Sequence, residues 1–260
     1  MYPRATPVLL TCDTRPGGED WSARPDFRSL PGIALFRLPV AASNSFAQQA
    51  TALLQAQELQ RAHRYHRPAD YYRFLLGRAA QRLVLGAYLG LPPAALHFEP
   101  GANKKPQLRE APLLHYNISH AGDLVLLAVS KTEVGVDVEQ LNALFTFQEL
   151  LDYSFSPAEK AFIEASPIPH DAFYQLWTRK EAFVKATGQG IDAEFHQVPA
   201  LDGKHCLAAA GPVTAWTVSS LQVGAGYIAA LARPTALVAT PAFYDLNSVT
   251  LGELYAAALG

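Results

Sequence analysis

The chain has 260 residues, half of them hydrophobic, two cysteines and a formal net charge of −2 at pH 7. That length suits one large domain or two small ones. No run approaches the roughly 18 apolar residues of a membrane span, and the N-terminus lacks the basic-then-apolar order of a signal peptide. The expectation is therefore a reduced, cytoplasmic protein with no membrane partner, in which Cys12 and Cys206, far apart and without metal or redox spacing, are incidental. The near-zero charge hides a division. Residues 1–132 carry 15 Lys+Arg against 9 Asp+Glu, and residues 133–260 carry 6 against 14. Nine of the basic residues fall between Arg61 and Arg109, opposed only by Asp70 and Glu99. Such a split fits either solvated helix faces or a polyanionic ligand on one side and a cation on the other. Nucleic acid is disfavoured, because aromatic-plus-basic platforms are not evident and the acidic half would repel a long backbone.

In chain order, "SFAQQATALLQAQELQRAHRYH" has apolar residues at helical spacing and stops before Pro68. "YYRFLLGRAAQRLVLGAYLG" reads as a second helix ended by Gly90. Short strand-like pieces follow, broken by Pro100-Gly101 and Pro106. "DLVLLAVS" (123–130) and "EVGVDVE" (133–139) read as strands separated only by Lys131 and Thr132, so an antiparallel hairpin is expected. That register would bring "NISHAG" (117–122), taken as a loop, beside Asp137 and Glu139. "LFTFQELLDYSFSPAEKAFIEA" is helical, and its apolar side chains are either core or a docking patch. "DAFYQLWTRKEAFVKATG" is a further helix, with Asp171 as expected N-cap and Gly188 as its end. "VTAWTVSSL" and "GYIAALAR" read as sheet. Each half, 1–132 and 133–260, thus combines helices with a few antiparallel strands, an α+β pattern.

The chemistry concentrates in three places. In "GVDVE" Asp137 and Glu139 point to the same side of one strand and repel unless a cation joins them; Mg²⁺ suits such carboxylates together with substrate phosphates, although D-x-E is also common on exposed strand edges. On the 172–188 helix Glu181 and Lys185 fall one turn apart at the rim of the apolar arc, as a surface pair or as part of a site. Lys180 falls inside that arc and must find a carboxylate or a phosphate, because an unpaired buried ammonium is costly. Ser119 and His120, being adjacent and without a G-x-S-x-G elbow, suit phosphate contact better than nucleophilic catalysis. Lys104 and Lys105 of "NKKP" suit phosphates too.

"NISHAG", "GVDVE", "FSPAE" and "LWTRKEAFVKATGQG", in that order and spacing, resemble the motifs of the 4′-phosphopantetheinyl transferase superfamily, in its longer single-chain Sfp type. "YH" at 65–66, "YRFLLGR" at 72–78 and "KKP" at 104–106 extend the resemblance over about residues 46–190. It implies an α+β pseudo-dimer of two similar halves with coenzyme A and a metal in the cleft between them. It also implies Mg²⁺-dependent transfer of 4′-phosphopantetheine from coenzyme A to a serine of an apo acyl- or peptidyl-carrier protein, releasing 3′,5′-ADP. Asp137, Glu139 and Glu181 match the family's metal carboxylates, Glu181 being also the candidate base. Lys185 matches the lysine on the leaving phosphate. Arg73, Lys105, Ser119 and His120 match positions that contact nucleotide and phosphates. Gln57 and Gln60 stand where relatives often carry lysines, and "NKKP" replaces the commoner G-K-P. A pseudo-dimer needs no partner copy, so a monomer is expected. A Mg²⁺-dependent hydrolase of coenzyme A or a nucleotide, and a non-catalytic scaffold that binds coenzyme A or a carrier, are the rival readings.

Overall fold

A computed structural model of the chain describes residues 6–14, 19–21, 24–101, 105–188, 195–209 and 215–259. Lys104 of "NKKP" and the Gln189-Gly190 end of the long motif lie outside them. In chain order the elements are β1 (Thr6–Thr14), β2 (Ile33–Pro39), α1 (Ala47–Leu53), α2 (Ala56–Ala62), α3 (Pro68–Leu89), β3 (Phe98–Pro100), β4 (Pro106–Leu108), β5 (His115–Ala121), β6 (Leu124–Ser130) and β7 (Gly135–Gln140). Then come α4 (Gln148–Ser154), α5 (Pro157–Ala165), α6 (Pro169–Thr187), β8 (Gly203–Ala209), β9 (Ala215–Leu221), β10 (Tyr227–Pro234), β11 (Ala242–Asp245) and α7 (Ser248–Leu259). The class is α+β.

The chain forms two compact units. One comprises Met1–Glu19, Ala102–Lys105 and Thr132–Val238; the other comprises Asp20–Gly101, Pro106–Lys131 and Ala239–Gly260. They share the break near residue 132 with the division drawn from charge, but the chain ends are exchanged. The reason is strand pairing. β1 lies between β8 and β9, with Leu9 opposite Cys206 and Ala215, and β11 pairs in parallel with β2.

In the first unit the strand order is β7-β10-β9-β1-β8, and α6 packs on β7, β10 and β9. Val8, Leu10, Phe183, Val184, Trp216 and Val218 form the core between sheet and helix. A second cluster joins α4 and α5 to α6 through Phe147, Phe155, Ile163, Phe173 and Leu176. There the Phe147 and Phe173 rings stack at 4.7 Å. In the second unit β11-β2-β6-β5 form the sheet. Phe36, Leu38 and Leu127 from its strands pack with Leu76 and Leu83 of α3. α3 begins at Pro68, whose missing N–H costs nothing in a first turn, and ends at Gly90 in the left-handed region, φ 63°.

Several expectations are corrected. Residues 123–139 do not form a hairpin: β6 pairs with β2 and β5, whereas β7 pairs with β10, Asp137 opposite Ala230. Lys131-Thr132 lacks the Gly or Asn that a two-residue hairpin turn requires, and β6, buried along its whole length, is satisfied by neighbours on both sides. "NISHAG" is strand rather than loop, Ser119 standing opposite Leu126. The first predicted helix breaks at Leu54, which is extended, and restarts with a Gln55/Glu58 capping box. Ile168, not Asp171, is the N-cap of α6, because Pro169 takes its first position. The apolar stretch 144–155 divides: Leu144 and Tyr153 are exposed, while Phe147, Leu151 and Phe155 are core.

Candidate active site

The site in the first unit is built on β7 and α6. Strand alternation sends Val134, Val136 and Val138 into the core, all fully buried. Gly135 has no side chain because there is no room for one. A Cβ there would lie 2.0 Å from the Ala182 carbonyl oxygen and 2.5 Å from the Ala186 nitrogen. β7 therefore rests backbone to backbone on the last turns of α6. Two residues on, Asp137 is 3% exposed, and Lys185 Nζ donates to its Oδ1 at 2.6 Å. Glu181, one helical turn before Lys185, is also buried.

Asp137, Glu139, Glu181 and Lys185 share one electrostatic environment. Burial, reinforced by the negative charge of Asp137 and then Glu181 and opposed by Lys185, pushes the Glu139 carboxyl up to about 7. Burial likewise pushes Glu181 up to about 7, with Lys185 opposing and Asp137 reinforcing. One ammonium does not balance three carboxylates; a second positive charge would stabilise all of them. The donor set is all oxygen, which suits a hard divalent cation. Among the described residues no group of three or more His, Cys, Asp or Glu side chains is already gathered as a metal-binding cluster.

Lys180 resolves as expected from its place in the apolar arc. It is completely buried, pairs with Glu159 at 3.0 Å and donates to the carbonyl oxygen of Val198. Burial lowers its pKa, and Glu159 counteracts that. Glu159 also accepts from the Ala200 N–H at 2.8 Å and caps α5 through the Ser156 N–H. This pair thus ties α6 to α5 and to residues 195–200; it is structural. Arg179, also buried, binds Ala200 O, Ser220 Oγ and Asp202. Lys105 is fixed as well, its Nζ donating to Val134 O at 3.0 Å and Ala186 O at 2.8 Å. Burial lowers its pKa to about 8.

In the second unit Arg73 on α3 donates to the Gly122 carbonyl at 2.7 Å and pairs with Asp70. Arg73 and His120 line one cavity of about 220 Å³, together with Arg61, Arg78, Tyr65 and Phe74. Ser119, of opposite alternation on β5, is buried and does not line it. The guanidinium groups of Arg61 and Arg78 stand over the Phe74 ring at 5.2 and 6.0 Å. Tyr65, Phe74 and Arg78 lie within the motifs "YH" and "YRFLLGR", but the sequence assigns them no role. Arg61 and Arg78 belong to the basic stretch, and the i, i+4 step from Phe74 to Arg78 along α3 is the local signal that joins an aromatic to it. The cavity is cationic with an aromatic wall, the chemistry of a phosphorylated heteroaromatic ligand.

Comparison with known proteins agrees with both units. Residues 133–232 match the family described as "4′-phosphopantetheinyl transferase superfamily", and residues 41–132 match "4′-phosphopantetheinyl transferase, N-terminal". The chain is 36% identical over 166 residues to the 4′-phosphopantetheinyl transferase HetI of Nostoc sp., covering 61% of this chain and 70% of that protein. It is 36% identical over 138 residues to 4′-phosphopantetheinyl transferase psf-1 of Bacillus pumilus, covering 50% of this chain and 56% of psf-1. To 4′-phosphopantetheinyl transferase Sfp of Bacillus subtilis it is 28% identical over 142 residues, covering 54% of this chain and 62% of Sfp. With a carboxylate strand and a lysine-bearing helix in one unit, a cationic aromatic cavity in the other, and family matches running through both, the chain belongs to the 4′-phosphopantetheinyl transferase superfamily.

Proposed function

We propose that the protein transfers 4′-phosphopantetheine from coenzyme A to a serine hydroxyl of an apo acyl- or peptidyl-carrier protein, with Mg²⁺, releasing 3′,5′-ADP. The observation that carries this reading is the 2.6 Å pairing of Lys185 with Asp137, which unites the carboxylate strand and the catalytic helix of the family motifs. Asp137, Glu139 and Glu181 would hold the metal, whose charge, when bound, would offset that of the pyrophosphate. The serine oxygen forms a bond to the β-phosphorus while the bond from that phosphorus to the bridging oxygen breaks. Lys185 stabilises or protonates the departing phosphate. Glu181, one helical turn from Lys185 on α6, is also the candidate acceptor of the serine proton. Phosphoryl transfer asks a protein mainly for alignment and charge; Arg73 and His120, which line the cavity, would supply alignment at the nucleotide end, and Ser119 would do so only from its buried place on β5. We further read the protein as a cytoplasmic monomer, a single chain containing both units.

The test is to mix the protein with coenzyme A, Mg²⁺ and a panel of apo carrier proteins and take intact masses. A carrier gaining one phosphopantetheine, and no gain after EDTA, is expected. Coenzyme A cleaved without a carrier would instead indicate a hydrolase, and coenzyme A bound but unchanged a scaffold.

A further inference from the structure

Lys105 matches a position that contacts substrate in relatives, yet its ammonium already has two acceptors of its own. One is the carbonyl of Ala186, in the last turn of α6, where carbonyls have no partner within the helix. Two earlier carbonyls have local partners, Phe183 O accepting from the Thr187 hydroxyl and Val184 O from the N–H of the C-cap Gly188. The other acceptor is the carbonyl of Val134, a fully buried residue just before β7. At the same level Gly135 meets the backbone of Ala182 and Ala186. Helix end and strand start therefore approach backbone to backbone at Gly135, and Lys105 spans that joint. Asp137 lies two residues beyond Gly135, and Lys185 immediately precedes Ala186, so a slip of the joint passes directly into the 2.6 Å pair between them.

We propose that Lys105 is a positioning residue: its side chain pins the last turn of α6 to the start of β7 and so sets the span between Lys185 and Asp137. The kinetic part of this proposal rests on the transferase reading above; the pin itself does not. It needs N–H donors at fixed places rather than a contact with substrate.

The test compares wild type with Lys105→Met, which keeps the stem and loses the donors, and with Lys105→Arg, which keeps donors. Hydrogen–deuterium exchange of the peptide spanning residues 183–188, without substrate, is expected to be at least tenfold faster in Lys105→Met and partly restored in Lys105→Arg. In the carrier assay kcat should fall at least tenfold in Lys105→Met while KM for coenzyme A stays within twofold. Discrimination between coenzyme A and 3′-dephospho-coenzyme A should be unchanged. Unaltered exchange, with KM raised tenfold or discrimination lost, would overturn the proposal in favour of a phosphate contact. Should Lys105→Met fail to fold, amine acetylation of the wild type followed by mass spectrometry decides. Lys105 is expected to label at least tenfold more slowly than exposed Lys204, equally with and without coenzyme A. Protection that appears only with coenzyme A overturns the pin. Exchange and labelling remain decisive even if no carrier is modified, which separates this proposal from the transferase reading.

Discussion

Replacing Gly135 by alanine adds one methyl group at the place where β7 and α6 touch. That Cβ would sit 2.0 Å from Ala182 O, 2.5 Å from Ala186 N and 2.9 Å from Ala186 Cα. All three atoms are backbone, so no rotamer change relieves the overlap. Reaching even a 3.0 Å separation from the carbonyl requires strand and helix to part by about 1 Å, the difference between 3.0 and 2.0 Å. Overpacking of a closed core costs about 1–3 kcal/mol, and a clash between two rigid elements belongs at the upper end. At about 2–4 °C per kcal/mol for chains of this size, melting should fall by about 6–12 °C. The displacement also carries Asp137 away from Lys185, so activity measured well below the melting temperature should fall at least tenfold. Gly252 of α7, where a Cβ meets nothing within 4 Å, is the control; Gly252→Ala should be neutral or stabilise by up to about 1 kcal/mol. Differential scanning fluorimetry and the carrier assay on both variants suffice. A Gly135→Ala protein that melts with wild-type Tm and turns over normally would refute the argument that β7 rests on the α6 backbone.

The remaining expectations concern single side chains. Asp137→Ala should abolish turnover with loss of metal dependence, and Lys185→Ala should lower kcat more than it changes coenzyme A affinity; full activity in either variant contradicts the assigned role. Lys180→Met leaves Glu159 buried without its cation and should cost about 3–5 kcal/mol in urea unfolding; a loss below about 1 kcal/mol would mean the pair is not structural. Arg61→Ala should raise KM for coenzyme A about tenfold with kcat nearly intact, one charge-assisted hydrogen bond being worth about 1.5–3 kcal/mol; an unchanged KM would separate the cavity from substrate binding. For pH, burial lowers Lys105 from 10.5 to about 8. Between those values the unfolded chain retains a proton that the folded chain has shed, so this group makes stability rise with pH. Relative to Lys105→Met, the wild type should gain about 1–3 kcal/mol between pH 8 and 10, allowing for partial exposure; parallel pH profiles of the two proteins would contradict the shift.

Much of the site is legible in the sequence because the features are local. The two long helices announce themselves by apolar spacing and by glycines at their ends, and Gly90 and Gly188 are both left-handed caps. Asp137 and Glu139 share a strand face by alternation, and Glu181 and Lys185 share a helix face by one turn. Placing Lys180 inside the apolar arc is enough to demand a carboxylate or a phosphate, and the partner is Glu159, 21 residues earlier in the chain. What is lost is long-range. The link 131–132 is short enough for a hairpin, and only the pairing preferences of partners 90 residues away send β6 and β7 to different sheets. The engagement of Lys105 by Val134 and Ala186 is invisible for the same reason, since main-chain acceptors carry no sequence signature. The Phe74 wall of the cavity needed α3, β5 and the preceding loop in place before Arg61 and His120 could be seen to share it.

The position of β1 has a consequence for how the protein is made. Leu9 pairs with Cys206 on one side and Ala215 on the other, so β1 has no partner until nearly 200 further residues are synthesised. At about 5–20 residues per second that wait is about 10–40 s, during which an apolar strand with both edges open must be kept from other chains. β2 gains β6 and β5 far sooner, so the second unit can assemble its central sheet while the first is still short of strands. β1 and β2 thus find their partners in the reverse of the order in which they are synthesised. The carboxylate strand β7 acquires its neighbour β10 only about 90 residues after its own synthesis, so Asp137 and Glu139 reach their places well after β5 and β6 have paired.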